Sequence, residues 1–262
     1  MARGYARSRV GIRARAILGA GAVACVLGAA APALAEPSGT VAVFDAAFRD
    51  WMRRHNVQRG VLAVSYANRL AFVKGYGGLD PAQPLPLASL AKAITGACVA
   101  TLVRDKRLSF ETRLGEVLGP FFRRHGAPAD PRVAAITVEQ LLAHRSGFSR
   151  KANPDPASGV ALIAHLREHG SSAAHITEAT TRALTYRLAR PPGQTYEYVN
   201  VNYLLLGAVI EQVSGRDYES YCRDAVLKPL GVASGKLGKW AALSSYGGWS
   251  LTAAEYLAFL HA

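Results

Sequence analysis

The sequence predicts an α/β chain of the α+β kind: an antiparallel sheet with helices on its faces, and an inserted helical domain from about Leu87 to Gly235. Three stretches predict it. Val41 to His55 sets Phe44, Ala47, Phe48, Trp51 and Met52 at the i, i+3, i+4, i+7, i+8 spacing of a helix with one apolar face, which should cover a sheet. Gly60 to Ala67 and Leu70 to Tyr76 read as two strands around a tight turn at Asn68-Arg69. From Leu87 to Val103 the only non-apolar residues are Ser89, Lys92, Thr95, Gly96 and Thr101, and a helix that apolar all round is expected to be buried.

Ahead of these elements lies a different kind of segment. Arg3, Arg7, Arg9, Arg13 and Arg15 precede an apolar run from Ala16 to Ala31, followed by Ala33-Leu34-Ala35. This is the pattern of a secretory signal peptide, residues 1–35, cleaved after Ala35 to leave a secreted or periplasmic protein starting at Glu36. The run is short for a transmembrane anchor. The leader takes five arginines and no acid with it, so the formal charge of +13 falls to +8. The other basic clusters, such as Arg53-Arg54 and Arg123-Arg124, are scattered and lack interleaved aromatics, which argues against a nucleic-acid partner. With 262 residues and 50% hydrophobic content, the chain can bury a sizeable core and is not disordered. Cys98 and Cys222 survive cleavage; two cysteines imply no disulfide scaffold and no metal cluster, and Cys98 reads as a small core hydrophobe.

Beyond the apolar helix comes a polar, proline-containing passage. Thr137-Val138-Glu139-Gln140 is then a capping-box pattern opening a short helix that stops near Gly147. Arg150 to Gly159 reads as a loop, Val160 to His169 as a helix stopped by Gly170-Ser171-Ser172, and Pro191-Pro192-Gly193 as a hard turn before an extended Tyr196 to Tyr198. Tyr203 to Val213 is an apolar helix ended by Gly215, Asp217 caps another that runs to Pro229-Leu230-Gly231, and Thr252-Ala253-Ala254-Glu255 opens a last one.

Chemistry is suggested first by Ser89-Leu90-Ala91-Lys92. Residues three apart share a helix face, so the amine can reach the hydroxyl. Burial and the positive end of the helix dipole both push Lys92 towards the neutral form that can accept a proton. Together they describe an activated nucleophile. The bland alternative is an N-capping Ser89 beside a Lys92 that snorkels to water. In Tyr198-Val199-Asn200, a phenol beside a lysine can relay protons and an amide can orient Lys92 and a substrate carbonyl. The alternative leaves Asn200 as an N-cap and Tyr198 in the core, and Tyr66-Ala67-Asn68 shows that the spacing alone is weakly specific. His165-Leu166-Arg167-Glu168-His169 offers a rival of another class: histidines at i and i+4 with the order of the inverted zinc proteases, a metallopeptidase through His165, Glu168 and His169.

Four blocks, Ser89-Leu90-Ala91-Lys92, ITVEQLLAHRSGF (136–148), PGQTYEYVNVNYLLLG (192–207) and GGWSLTAAEYLAFL (247–260), resemble the serine β-lactamase-related hydrolases. The branch that holds class C β-lactamases, D-alanyl-D-alanine carboxypeptidases and related esterases, with the penicillin-binding-protein fold, is the one they suggest. The resemblance runs from about Phe44 to the last residue. It implies Ser89 as nucleophile, Lys92 as its partner, Tyr198 as proton-transfer residue and Asn200 as a substrate-orienting one. It divides residues 36–262 into a sheet part (36–86), a helical part (87–235) and a return towards the sheet (236–262).

The family's third motif, a Lys or His followed by a small residue and Gly, lies on a strand beyond the Gly247-Gly248 block. Lys236-Leu237-Gly238 mimics it but falls too early and reads as a loop. The resemblance therefore implies an incomplete sheet, and an oxyanion hole whose Ser89 amide lacks its second donor. Loss of one such donor costs on the order of 100 to 1,000-fold in rate. The expected reaction is acyl transfer through an acyl-enzyme on a β-lactam, a D-Ala-D-Ala peptide or a small ester, with no metal or organic cofactor, no membrane anchor after cleavage and a small-molecule or peptidoglycan-derived partner. A non-catalytic module of the same fold that binds peptidoglycan or β-lactams is the alternative.

Overall fold

The computed structural model describes residues 38–154 and 172–261, all within one compact unit, Pro37–Ala262. The leader, the Val160 to His169 helix and the His165/Glu168/His169 constellation lie outside the described residues. Within them, helices and small antiparallel sheets form the mixed fold that the sequence predicts.

Helix α1 (Ser38–Arg54) precedes the hairpin of β1 (Gly60–Tyr66) and β2 (Arg69–Tyr76). The turn falls one residue earlier than expected. Ala67 and Asn68 both take positive φ (49° and 60°), the left-handed pair that a two-residue hairpin needs to match the strand twist. The contact row of α1 also differs from the expectation. Phe44 and Trp51 remain 46% and 43% exposed, while Asp45, Phe48 and Met52 meet the hairpin. Asp45 accepts hydrogen bonds from the Tyr76 hydroxyl and from Lys74 Nζ, and Phe48 packs 5.0 Å from the Tyr76 ring. Two strands present one narrow strip, so a broad apolar stripe leaves its flanks in solvent.

Next, β3 (Leu85–Pro86) pairs antiparallel with β4 (Ser250–Leu251), so the chain just before Ser89 is tied to its last part, with Leu87 N–H donating to Trp249 O at 2.8 Å. A 3₁₀ turn over Ala88–Leu90 leads into α2 (Ala91–Arg104). This helix is not buried all round. Ala91, Lys92, Ile94, Thr95, Cys98, Val99 and Leu102 are buried, while Leu90, Ala93 and Ala100 are exposed along the opposite side, where small alanines leave little apolar area to hide.

The polar passage that follows proves partly helical: α3 (Leu114–Val117) and α4 (Gly119–His125), the latter opened by Pro120 at a position where its missing N–H is harmless. The Thr137 capping box forms in full and opens α5 (Val138–Leu142). That helix ends before Gly147, because His144 itself takes the left-handed conformation (φ 55°). Ser172 starts α6 (Ser172–Ala183), where the sequence was read as a helix stop. Helix α7 (Asn200–Ser214) carries the heart of the core and ends at Gly215 in the left-handed region. Asp217 caps α8 (Tyr218–Cys222) through the Ser220 N–H. After a bridge between Lys236 and Ser250 come α9 (Ser244–Gly247), β4, and α10 (Ala253–Leu260), opened by the Thr252 capping box.

Cys98 on α2 and Cys222 on α8 form a disulfide with Cα atoms 5.5 Å apart, which overturns the reading of Cys98 as a free core hydrophobe, although both residues are buried. The α2 and α8 faces meet in the core, and that brings together two residues separated by 124 positions. In the chain-entropy treatment, closing a loop of that length restrains the unfolded chain by about 4 to 5 kcal/mol. The double variant Cys98→Ala/Cys222→Ala is expected to lose most of that stability, read as a lower urea midpoint relative to the oxidised parent; an unchanged midpoint would show that the bond adds nothing.

Candidate active site

The site is built on the start of α2. Ala88, immediately before Ser89, sits at φ 47°, a conformation that a residue with a Cβ rarely adopts, and this turn presents Ser89 at the surface as the chain enters the buried part of the helix. One helical turn on, Lys92 is only 6% exposed. Its Nζ donates to Ser89 Oγ (3.2 Å), to Asn200 Oδ1 (2.9 Å) and to the Tyr246 carbonyl (2.7 Å). The rings of Tyr198, Tyr246 and Tyr203 stand 5.0, 5.6 and 5.7 Å from it. On the other side of Ser89, the Tyr198 hydroxyl donates to its Oγ at 2.8 Å. The structure thus brings Ser89, Lys92, Tyr198 and Asn200 together. Asn200 does not cap α7: Val199 holds the N-cap position without a side-chain bond, and the Asn200 amide turns to Lys92 instead.

Two groups at this site were missed by the sequence reading. The first is the Tyr246 carbonyl. A buried network places it: Thr95 Oγ1 bonds the Tyr218 hydroxyl (2.7 Å) and the Ser245 carbonyl (2.5 Å), and Trp249 Nε1 donates to the same Tyr218 oxygen (2.8 Å). Gly207 lets this segment close on α7, since a Cβ there would stand 2.4 Å from Ser245 Oγ. The second is His144, whose ring centroid lies 4.5 Å from that of Tyr198 and 5.1 Å from that of Tyr203. Its only sequence signal was its place in the 136–148 block.

Electrostatics here are dominated by burial around one amine. Desolvation, aided by the Lys92 charge, lowers the His144 pKa to about 4, so the ring is neutral at pH 7. For Tyr198, desolvation is the largest influence and raises the pKa, but hydrogen bonds with Lys92 and Ser89 and the charges of Lys92 and Arg150 outweigh it, and the net shift is downward. Beside the phenol opens a cavity of about 310 Å³, lined by Arg150, Asn153, Tyr198, Asn200 and Val201 among others. Among the described residues no cluster of three His, Cys, Asp or Glu side chains could hold a metal ion.

Chemically, Ser89 Oγ lies between two groups that can exchange protons, at hydrogen-bond distance from each. A hydroxyl so placed is within proton-transfer reach of both an amine and a phenol.

The chain is 33% identical over 147 residues to the "Probable fimbrial assembly protein FimD, serogroup H1" of Dichelobacter nodosus, covering 56% of this chain and 34% of that protein. It is 26% identical over 194 residues to protein flp of Staphylococcus aureus strain MW2, covering 69% and 36%. It therefore spans about a third of the length of these curated relatives. Two solved structures share the fold at low identity. The octameric penicillin-binding protein homologue from Pyrococcus abyssi has a TM-score of 0.66 at 19% identity, covering 84% of this chain and 55% of that one. The D-amino acid amidase from Ochrobactrum anthropi complexed with L-phenylalanine amide has 0.65 at 17%, covering 85% and 69%. The model of the Beta-lactamase family matches residues 44–256, and the chain belongs to that family.

Proposed function

We propose that this is an exported serine hydrolase that forms an acyl-enzyme at Ser89 on an amide or ester, such as a β-lactam, a D-Ala-D-Ala peptide or a small ester. The observation that carries the reading is the two-sided contact at Ser89: Lys92 Nζ at 3.2 Å and the Tyr198 hydroxyl at 2.8 Å. As Oγ attacks the carbonyl carbon, its proton passes to the Lys92–Tyr198 pair. The tetrahedral intermediate collapses when the leaving amine or alcohol takes a proton back from Tyr198. Water then attacks the ester carbonyl carbon, giving a proton to the same pair, and as the Ser89 Oγ–acyl bond breaks the pair returns that proton to Oγ and the carboxylic product leaves. Asn200 holds Lys92 in reach through Oδ1 and lines the cavity where substrate would lie. Export is supported by the leader pattern and by the Cys98–Cys222 bond, which persists in an oxidising compartment. N-terminal sequencing of exported material should find Glu36 first; Met1 would refute the cleavage.

The test of the reaction is to incubate the full chain with nitrocefin, a D-Ala-D-Ala peptide and a p-nitrophenyl ester, and to follow both product and intact mass. An acyl adduct on Ser89 is expected. Tyr198→Phe should slow acylation about 100-fold, the low end of what a positioned proton donor contributes. Because the phenol pKa lies below its usual 10, the parent should show a titration below pH 10 that this variant lacks. A parent profile unchanged by the substitution would remove Tyr198 from the proton path.

A further inference from the structure

We infer that His144 is a positioning residue for the reaction proposed above: a neutral imidazole that locks the Tyr198-Val199-Asn200 segment around Lys92. The lock has three parts. The His144 carbonyl accepts the Glu197 N–H at 2.9 Å. Nδ1 lies 3.4 Å from the Val199 N–H and 3.0 Å from Asn202 Nδ2. The ring itself lies against Tyr198, with the planes 35° apart. Residues on both sides of Tyr198 are therefore bonded to one histidine, and Asn200 follows directly. The left-handed backbone of His144 is what turns the ring inward after α5 ends.

The tautomer follows from the partners. An amide side chain can be turned end for end, but a backbone N–H only donates, so Nδ1 must offer a lone pair to Val199. The proton then sits on Nε2. Protonating Nδ1 would set its proton against the Val199 N–H; separately, burial, and after it the neighbouring Lys92, depress the His144 pKa to about 4. The other groups facing the ring are the phenols of Tyr196, Tyr198 and Tyr203. The Glu197 carboxylate is occupied elsewhere, by the Arg150 N–H and by Arg190.

Two measurements on the full chain test this, and they fail separately. Nitrogen NMR of the imidazole reads the lock without any catalysis: an unprotonated Nδ1 and a protonated Nε2 are expected from neutral pH down to about pH 4. A proton on Nδ1, or an ordinary titration near 6.5, would overturn the inference even if Ser89 is the nucleophile. The second measurement is the rate at which a fluorophosphonate labels Ser89. His144→Phe keeps a ring but loses the acceptor, and should slow labelling at least tenfold. His144→Asn, whose Oδ1 can stand where Nδ1 stood, should recover part of that loss and should lack the fall in labelling rate that the parent shows as pH drops through about 4. Equal rates in both variants and the parent, or an identical acid limb in His144→Asn, would refute the positioning role. If the parent takes no label while the NMR result holds, the proposed reaction fails and the lock stands.

Discussion

Ser89→Ala is expected to abolish covalent labelling by fluorophosphonates and penicillins, lowering the rate by a factor on the order of 10³ or more, into the background. The substitution deletes one oxygen at an exposed position in the 3₁₀ turn that precedes α2, where it leaves no cavity, so stability should change by no more than about 0.5 kcal/mol. The hydroxyl and amine that faced Oγ are not stranded in the interior: Lys92 retains Asn200 and the Tyr246 carbonyl, and Tyr198 borders an open cavity. Loss of labelling with an unchanged unfolding midpoint would therefore report on the nucleophile alone. Peptide mapping of the labelled parent gives the sharper check. One other serine in the described residues has a nitrogen base at hydrogen-bond distance, Ser65, whose Oγ lies 2.8 Å from His261 Nε2. It lacks a second proton-exchanging partner of the kind that Tyr198 provides at Ser89, and a label found there would displace the assignment.

How much of this could be read from residues alone depended on the distance over which each feature is determined. The hairpin and α7 follow from local periodicity, and the two capping boxes at Thr137 and Thr252 form as their spacing requires. The turn was placed one residue late because Ala67 takes a positive φ that an alanine gives no hint of. Helices α3, α4 and α6 went unseen since they are short or begin at residues that usually interrupt a helix, Pro120 and Ser172 among them. In the site, Ser89 and Lys92 are neighbours by helical geometry, so their pairing was legible. The link from Lys92 to Asn200 spans 108 positions and rested on the family resemblance. The third acceptor on Lys92 is a backbone carbonyl, which any residue at 246 could supply, and no side-chain pattern announces it. The same holds for the disulfide: two cysteines state that one bond is possible, and only the packing of α2 on α8 decides that it forms.

Lys92→Met is expected to slow acylation of Ser89 by about 10³-fold, within the 10² to 10⁴ that a positioned base contributes, while initial substrate binding changes far less. Methionine is close to lysine in length and fits a site that is 6% exposed, so packing against the three tyrosine rings is retained and the amine alone is removed. What happens to the partners decides the sign of the stability change. The buried Tyr246 carbonyl and the half-buried Asn200 amide lose a donor, which destabilises, whereas the cost of holding the amine out of water disappears, which stabilises. Removing the Lys92 amine also removes the lesser of the two influences that lower the His144 pKa, desolvation being the larger. The His144 titration should therefore move up from about 4 towards 6.5 in Lys92→Met. Since a histidine with a depressed pKa destabilises the folded state as pH falls between the unfolded and folded values, the acid loss of stability should be smaller in this variant. Time-resolved intact mass gives the acylation rate, and urea titrations at pH 7 and pH 4.5 give the stability. Acylation at the parental rate would show that Tyr198 alone takes the Ser89 proton, and that Lys92 serves only to hold Tyr198, Asn200 and Tyr246 about one centre.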